Sequence, residues 1–470
     1  MIRKSYIIRN YKVSRTTYQF VHNKLQGFTS EQRRFFLHVL CSHMIDLGRA
    51  RYEVLPGWDS LGVKIPFVTI KAEFERGFSW HPLEERRLIE ASDYCDGQCR
   101  YFLVEPTLFQ AILTQLQQEI DHPDGSPAVN LFDGTAYNIS HAVTAEDARP
   151  SSKLMRDAMR ILHVVDCPIN VAAVQEHLAW LATENRPLAF QNDKLCAQTL
   201  FAGMKVANGT GFYTPSYSPQ SSGRIGELGG GAQSCSRAMK MAAFTGIEDI
   251  HNYDLRSSQG YVLLQELRLA GIDDSWLSAH LGSGAFEQRA DHLELPKKLY
   301  KKCFFSTIMG AIHIWLDGEH VGAIQEGLLD HFGTSKAARE KFGQVVAQLH
   351  PLKQAVRQWG EWLLNDPACP HRKKTQRREY LENAAGQNYL IDRARAEKDL
   401  KGEGAAHMLQ GQESAFIHHL TLLSKEYAFV PVSNQHDGLV TLGVVPDEAI
   451  PKAAVLSGFQ HAYLERKAFV

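Results

Sequence analysis

Two aspartates sit where a chain can present carboxylates for chemistry. Asp254 ends the run Ile250-His251-Asn252-Tyr253-Asp254, which reads as a short strand, and residues 261–270 follow as a helix closed at Gly271. Asp437 lies in the turn His436-Asp437-Gly438 between two apolar runs, a hairpin pattern that puts the aspartate at its tip. Carboxylates drawn together from distant parts of a chain repel unless one is protonated or they share a cation, and magnesium is the expected cation. Two such ions about 3.5–4 Å apart activate an attacking hydroxyl and stabilise the leaving group of an in-line phosphoryl transfer. That reaction also needs positive charge against the phosphates. Lys297, Lys301, Phe305 and Met309 recur every four residues and share one stripe of a helix, setting two ammonium groups and a ring on one side, with Gly310 allowing close approach of backbone.

The elements around these residues read as a mixed α/β (α+β) chain. Ser30–Leu47 has apolar residues at helical spacing, with Ser30 expected at the N-cap and Gly48 as the stop. Helical stretches are expected over 58–63 and 69–76, then a hairpin: Leu88-Ile89-Glu90, a turn at Asp96-Gly97, and a returning strand Arg100-Tyr101-Phe102-Leu103-Val104. Helices followed by a hairpin suggest a winged helix. This stretch loosely resembles the winged helices of plasmid replication initiators, including Cys99-Arg100-Tyr101 at the entry to the last strand. The resemblance implies either DNA contact through 69–76 or a docking and packing unit. Turn residues at 122–126 and a loose region at 144–152 place a linker over 121–150, after an N-terminal domain of residues 1–120, and 154–184 reads as helical.

The averages describe an ordinary globular protein of 470 residues, 44% hydrophobic and 22% charged, long enough for two or three domains. No apolar run approaches a membrane span, and the first residues lack a secretory core, so no membrane partner and a cytoplasmic location are expected. A net charge of −1 gives no global attraction to nucleic acid, so contact must come from local patches such as 297–302 and 372–378. The second patch reads either as a solvated loop or as a contact for single-stranded template. The eight cysteines are scattered and read as buried free thiols; Cys95 and Cys99 make a structural pair or half of a metal site, to which His371 beside Cys369 adds little.

Taken together, the motifs from about residue 201 onward resemble family-A DNA polymerases and, more distantly, single-subunit phage-type RNA polymerases. Ser222-Gly223-Arg224-Ile225, Gln233, Arg237, Lys240 and Ala243-Phe244 occur in the family's order before the first aspartate. Lys297, Lys301, Phe305, Met309 and Gly310 match the fingers helix Arg-x-x-x-Lys-x-x-x-Phe-x-x-x-Tyr-Gly, and Gln410-Gly411 matches a Gln-Gly pair opening a long helix before the closing His436-Asp437. The resemblance implies a right hand of palm and fingers (216–470) with a thumb-like helical region (151–215). Catalysis then falls to Asp254, Asp437 and Lys301, and two magnesium ions, or manganese in their place, to Asp254, the Leu255 backbone carbonyl and Asp437. Lys297, Lys301, Phe305, Gln259 and Met309 face the nucleotide. Arg224, Gln233, Arg237, Gln410 and His436 face template or primer. The partners implied are a DNA template and primer strand and nucleoside triphosphates.

Four departures bear on which sugar is accepted. The fingers tyrosine is Met309, the fingers arginine is Lys297, and the acid that follows His-Asp in the family is Gly438; the family's sugar-gating glutamate falls at Gln259. A neutral amide either excludes a 2′-hydroxyl by bulk or hydrogen-bonds it. The expectation is therefore a DNA-dependent DNA polymerase of a plasmid or phage replicon, without a proofreading exonuclease. The alternatives are a primase, primase-polymerase or RNA polymerase, and a non-catalytic initiator that keeps only the fold.

Overall fold

The computed structural model describes residues 11–47, 63–66, 70–71, 73–74, 77–92, 99–121, 128–136, 152–184, 187–227, 231–282, 284–317, 321–376, 378–394 and 397–469. The turn at 96–97, Cys95 and Gly48 lie outside the described residues. So do 58–62, and Val63 opens a strand, Val63–Pro66, instead of closing a helix.

Near the N-terminus, Ser30–Leu47 is helical, but its cap is Thr29. The Thr29 hydroxyl accepts from the Gln32 N–H (3.2 Å) while the Gln32 side chain accepts from the Thr29 N–H (3.1 Å), a reciprocal capping box that leaves Ser30 as the first helical residue. The expected hairpin is present: Ile89–Ala91 pairs antiparallel with Cys99–Val104, whose other edge takes Val63–Pro66. Of the expected helix at 69–76, the described residues Ile70, Lys71 and Glu73 are helical, with the Phe74 N–H bonded to the Ile70 carbonyl, and 69, 72, 75 and 76 lie outside the described residues. Phe35, Phe36, Leu40, Phe102 and Val104 centre this core, which also contains Val129 from a strand, Val129–Asn130, paired with Lys12–Val13.

The stretch 154–184 is two helices, Lys153–Leu162 and Val171–Thr183, separated by the strand Cys167–Asn170. That strand pairs with Thr210–Tyr213, and a short apolar strand between two helices cannot be told from helix by periodicity alone.

The central sheet has four antiparallel strands in the order Val430–Asn434, Gly438–Leu442, Ile250–Leu255 and Leu464–Lys467. Alternation along Ile250–Leu255 turns Tyr253 and Leu255, with Leu439, into the largest core, formed with the helices Ser258–Leu269, Lys297–Ile308, Ser335–Asn365 and Glu397–Leu423. Ile250, Val432, Val440 and Leu442 pack the opposite way, against Ile169, Phe201, Met239 and Phe244.

Gln410 and Gly411 do not open a helix. They lie inside Glu397–Leu423, and a Cβ at Gly411 would stand 2.2 Å from the Asn383 side chain. Asn383 donates there to the carbonyls of His407 (3.0 Å) and Ser222 (2.9 Å), so the glycine lets a neighbouring hairpin sit tightly against the helix. The basic patch at 372–378 belongs to that hairpin: Arg372–Lys374 pairs with Glu379–Glu382, and Glu379 takes ion pairs from Arg372, Lys374 and Arg393.

Candidate active site

Asp254 ends the third strand of the central sheet and Asp437 sits in the tight turn joining the first two. The turn is held by His436 in the left-handed region (φ 70°) and by the Asp437 carbonyl, which accepts from the Leu255 N–H at 2.9 Å. Gly438 faces Asp254 across the ladder, where a Cβ would stand 2.3 Å from the Tyr253 carbonyl oxygen. The position that carries an acid in the resembled family therefore has no room for one in this chain.

Both aspartates line one cavity of about 220 Å³ with Arg237, Lys240, Asn252, Gln435, Lys467, Ala468 and Phe469. The Asp437 carboxyl is pushed up to about 6, first by burial and then by the negative charges of Asp254 and Glu413. Around it the cations are dense. Lys240 reaches the Gln435 side chain and the Gln233 carbonyl (3.3 Å), and burial lowers its ammonium while Asp437 is among the acids that pull it back up. Lys467, on the last strand, is ion-paired with Asp254.

The remaining residues singled out in the sequence divide by what they touch. Arg237 opens the helix Arg237–Phe244, capped by Ser236, and reaches the cavity. Arg224 is turned inward, bonded to Glu413 at 2.7 Å. His436 is pushed down to about 4 by burial, by Arg224 and by Lys240, so its imidazole is neutral near pH 7. The Gln233 amide is bonded internally: its Nε2 donates to the carbonyls of Ile225 and Asn434, and its Oε1 accepts from the Glu227 N–H.

On the helix Lys297–Ile308, Lys301 lies over the rings of Phe286 (5.4 Å) and Phe305 (5.9 Å). Burial, Lys297, Lys467 and Arg256 lower its ammonium against the pull of Glu287. Lys297 is ion-paired with Glu287. Gly310 adopts φ 87°, and a Cβ there would meet no atom closer than 3.9 Å, so its left-handed backbone, not crowding, favours glycine. Of the residues expected at the site, only Asp254, Asp437 and Arg237 line the aspartate cavity; Leu255, Gln259, Lys297, Lys301, Phe305, Met309, Arg224, Gln233, Gln410 and His436 do not.

Two residues escaped the sequence reading. Glu413 is fully buried and accepts both from Arg224 and from the Ser258 hydroxyl, tying the long helix to the start of the helix that follows Asp254. Its signal was its place two residues after Gly411. Lys467 had no local signal.

Among the described residues no group of three or more His, Cys, Asp or Glu side chains is gathered to hold a metal by itself. Two carboxylates in one cavity, one of them made harder to ionise by burial and then by the other, suit magnesium, which keeps waters and substrate phosphates in its shell and takes only one or two protein carboxylates. The residues present fit such an ion. No described helix is long and apolar enough to cross a membrane.

No protein-family model and no curated protein matches the chain. Among solved structures, the polymerase domain of Pol1 from M. smegmatis, in complex with DNA primer-template and dNTP, is similar with a TM-score of 0.41 and 10% sequence identity, covering 77% of this chain and 73% of that one. A likeness of that extent fixes neither fold nor function.

Proposed function

We propose that the chain is a template-directed nucleotidyltransferase of the family-A kind: a DNA-dependent DNA polymerase without proofreading, acting in plasmid or phage replication. The observation that carries the reading is the meeting of Asp254 and Asp437, from strands far apart in sequence, in one cavity ringed by Arg237, Lys240 and Lys467. In this reading the central sheet is the palm, the helices from Ser258–Leu269 to Ser335–Asn365 form the fingers, residues 151–215 are thumb-like, and residues 1–120 form a winged-helix domain.

Asp254 and Asp437 hold magnesium, with the Leu255 carbonyl beside them; the ions supply charge neutralisation and an acidified attacking hydroxyl. Lys301, braced by two aromatic rings, binds the triphosphate from the fingers side. Arg237 and Lys240 meet the phosphodiester backbone across the cavity. The inward-facing pair of Arg224 with Glu413, and the internal bonding of Gln233, favour positioning roles for these two over direct contact with template. Gln259 and Met309 set the tolerance for the sugar.

The test is extension of a labelled strand in magnesium, with single-stranded DNA template, with or without annealed primer, and with deoxy- or ribonucleotides. Extension only with primer and deoxynucleotides is expected. Products without primer, made from ribonucleotides, would transfer the chain to the primases. No incorporation in any combination would overturn catalysis and leave a non-catalytic initiator.

A further inference from the structure

The strand Leu464–Lys467 forms one edge of the central sheet, and its register decides what it offers to the site. Glu465 stands opposite Asp254 and Lys467 opposite Asn252. Residues directly opposed in a ladder share a face, so Lys467 and Asp254 are diagonal neighbours within reach of a long side chain. The Lys467 ammonium indeed meets the Asp254 carboxylate, with 44% of the lysine side chain and 30% of the aspartate side chain exposed. Glu465, the acid beside it, is held by Arg256 at 3.4 Å. The charge of Lys467 also reaches Lys301, whose ammonium is lowered first by burial and then by Lys297 and Lys467.

An ammonium on a four-carbon stem is mobile, and so exposed an ion pair is weak, so a divalent cation would displace it from the carboxylate. The freed charge then lies beside whatever anion enters with the metal. Resting on the polymerase reading above, we propose that Lys467 competes with a divalent cation for Asp254, so guarding it, and binds the phosphates of the incoming nucleotide once metal takes the aspartate.

The experiment compares the full-length protein with Lys467→Ala and Lys467→Arg. Mn2+ binding is followed by electron paramagnetic resonance without DNA or nucleotide, and kcat and KM for a deoxynucleoside triphosphate are measured on a primed template. Removing a competing cation should tighten Mn2+ binding by Lys467→Ala about 3- to 10-fold. Losing a phosphate contact should raise its KM about 10-fold with kcat nearly unchanged, and Lys467→Arg should restore much of that KM. Unchanged or weaker Mn2+ binding by Lys467→Ala overturns the guarding role, and a fall in kcat at constant KM overturns the nucleotide contact. If the unaltered protein incorporates nothing while Lys467→Ala still tightens Mn2+ binding, the polymerase reading fails and the nucleotide half fails with it.

Discussion

The N-terminal unit and the aspartate-bearing face of the central sheet use cations in opposite ways. In the former, Arg34 lies 4.6 Å from the ring centre of Phe74, Arg86 4.8 Å from that of Phe28, and Arg100 5.7 Å from that of Trp80. Each also donates to a backbone carbonyl, those of Glu73, Gln26 and Ser92. These guanidinium groups fasten aromatic packing, and a group so held cannot move to a phosphate without loosening the fold. On the aspartate face, Arg237, Lys240 and Lys467 instead converge on two carboxylates in an open cavity. Equal numbers of basic residues thus mean adhesion in one region and readiness to bind polyanions in the other, a difference of partners that residue counts do not carry.

The largest effect expected from that contrast is at the carboxylates. Asp437→Ala should lower single-turnover nucleotide incorporation by at least about 10³-fold while duplex binding, measured by fluorescence anisotropy, changes little. Substantial residual synthesis would remove Asp437 from the chemistry. Arg34→Ala should leave incorporation within about twofold and lower the melting temperature by a few degrees.

The two regions are also joined, which changes how the N-terminal unit should be probed. Lys12 is buried, its ammonium lowered to about 8 by burial against the pull of Glu227, and it lies over the Tyr213 ring at 5.4 Å. Ile120 is a fully buried member of the core that contains Ile169, Phe201 and Val440. Deleting residues 1–120 therefore opens the body that supports the central sheet, and loss of synthesis by that fragment would say nothing about DNA reading. A finer cut is Lys12→Ala, which removes the buried stem packed over the Tyr213 ring and leaves Glu227 buried without that cation; these losses should outweigh the relief of the buried ammonium and cost about 2 kcal/mol in urea denaturation. If stability is unchanged, Lys12 is not a tie between the two regions.

The third expected effect concerns the lysines of the helix Lys297–Ile308. Lys301→Ala should lower kcat/KM about 10- to 100-fold, mostly through KM, whereas Lys297→Ala, which loses its ion pair with Glu287, should change it by less than about threefold. Steady-state extension separates them, and equal losses would mean that the whole stripe meets the nucleotide.

Legibility followed the range of the interaction. Asp254 and Asp437 could be placed because strand alternation and a turn signal are local, and the lysine stripe because helical spacing is. Thr29 could have been read as the cap from its capping box with Gln32. The long helix was missed upstream of Gln410 because Gly402 and Gly404 weaken its propensity and packing overrides them. The strand Cys167–Asn170 takes its identity from Thr210–Tyr213, and Lys467 from its register with Asn252, so neither is visible in its own neighbourhood. Glu413 acquires its role from Arg224 and Ser258, which meet it only in the folded chain.

The smallest effect tests the electrostatics of the carboxylate pair without any assay of synthesis. Asp437 titrates near 6 in the folded chain, above the usual carboxylate range, so between about pH 4 and 6 the folded state retains a proton that the unfolded state has released. A raised carboxyl stabilises the fold fully below the unfolded value, and that contribution is lost as the pH rises through about 6. The shift alone would correspond to about 3 kcal/mol, but the group borders a water-accessible cavity, and about 1 kcal/mol is the expected remainder. With chelator present, Asp437→Asn should therefore be more stable than the parent chain at pH 8 by about 1 kcal/mol, with the gain shrinking toward pH 4.5. Magnesium should reverse the order at pH 8, because only the parent chain retains both carboxylates to bind it. Parallel stability profiles for the two proteins across this range, with and without magnesium, would mean that burial and the neighbouring carboxylates do not raise Asp437.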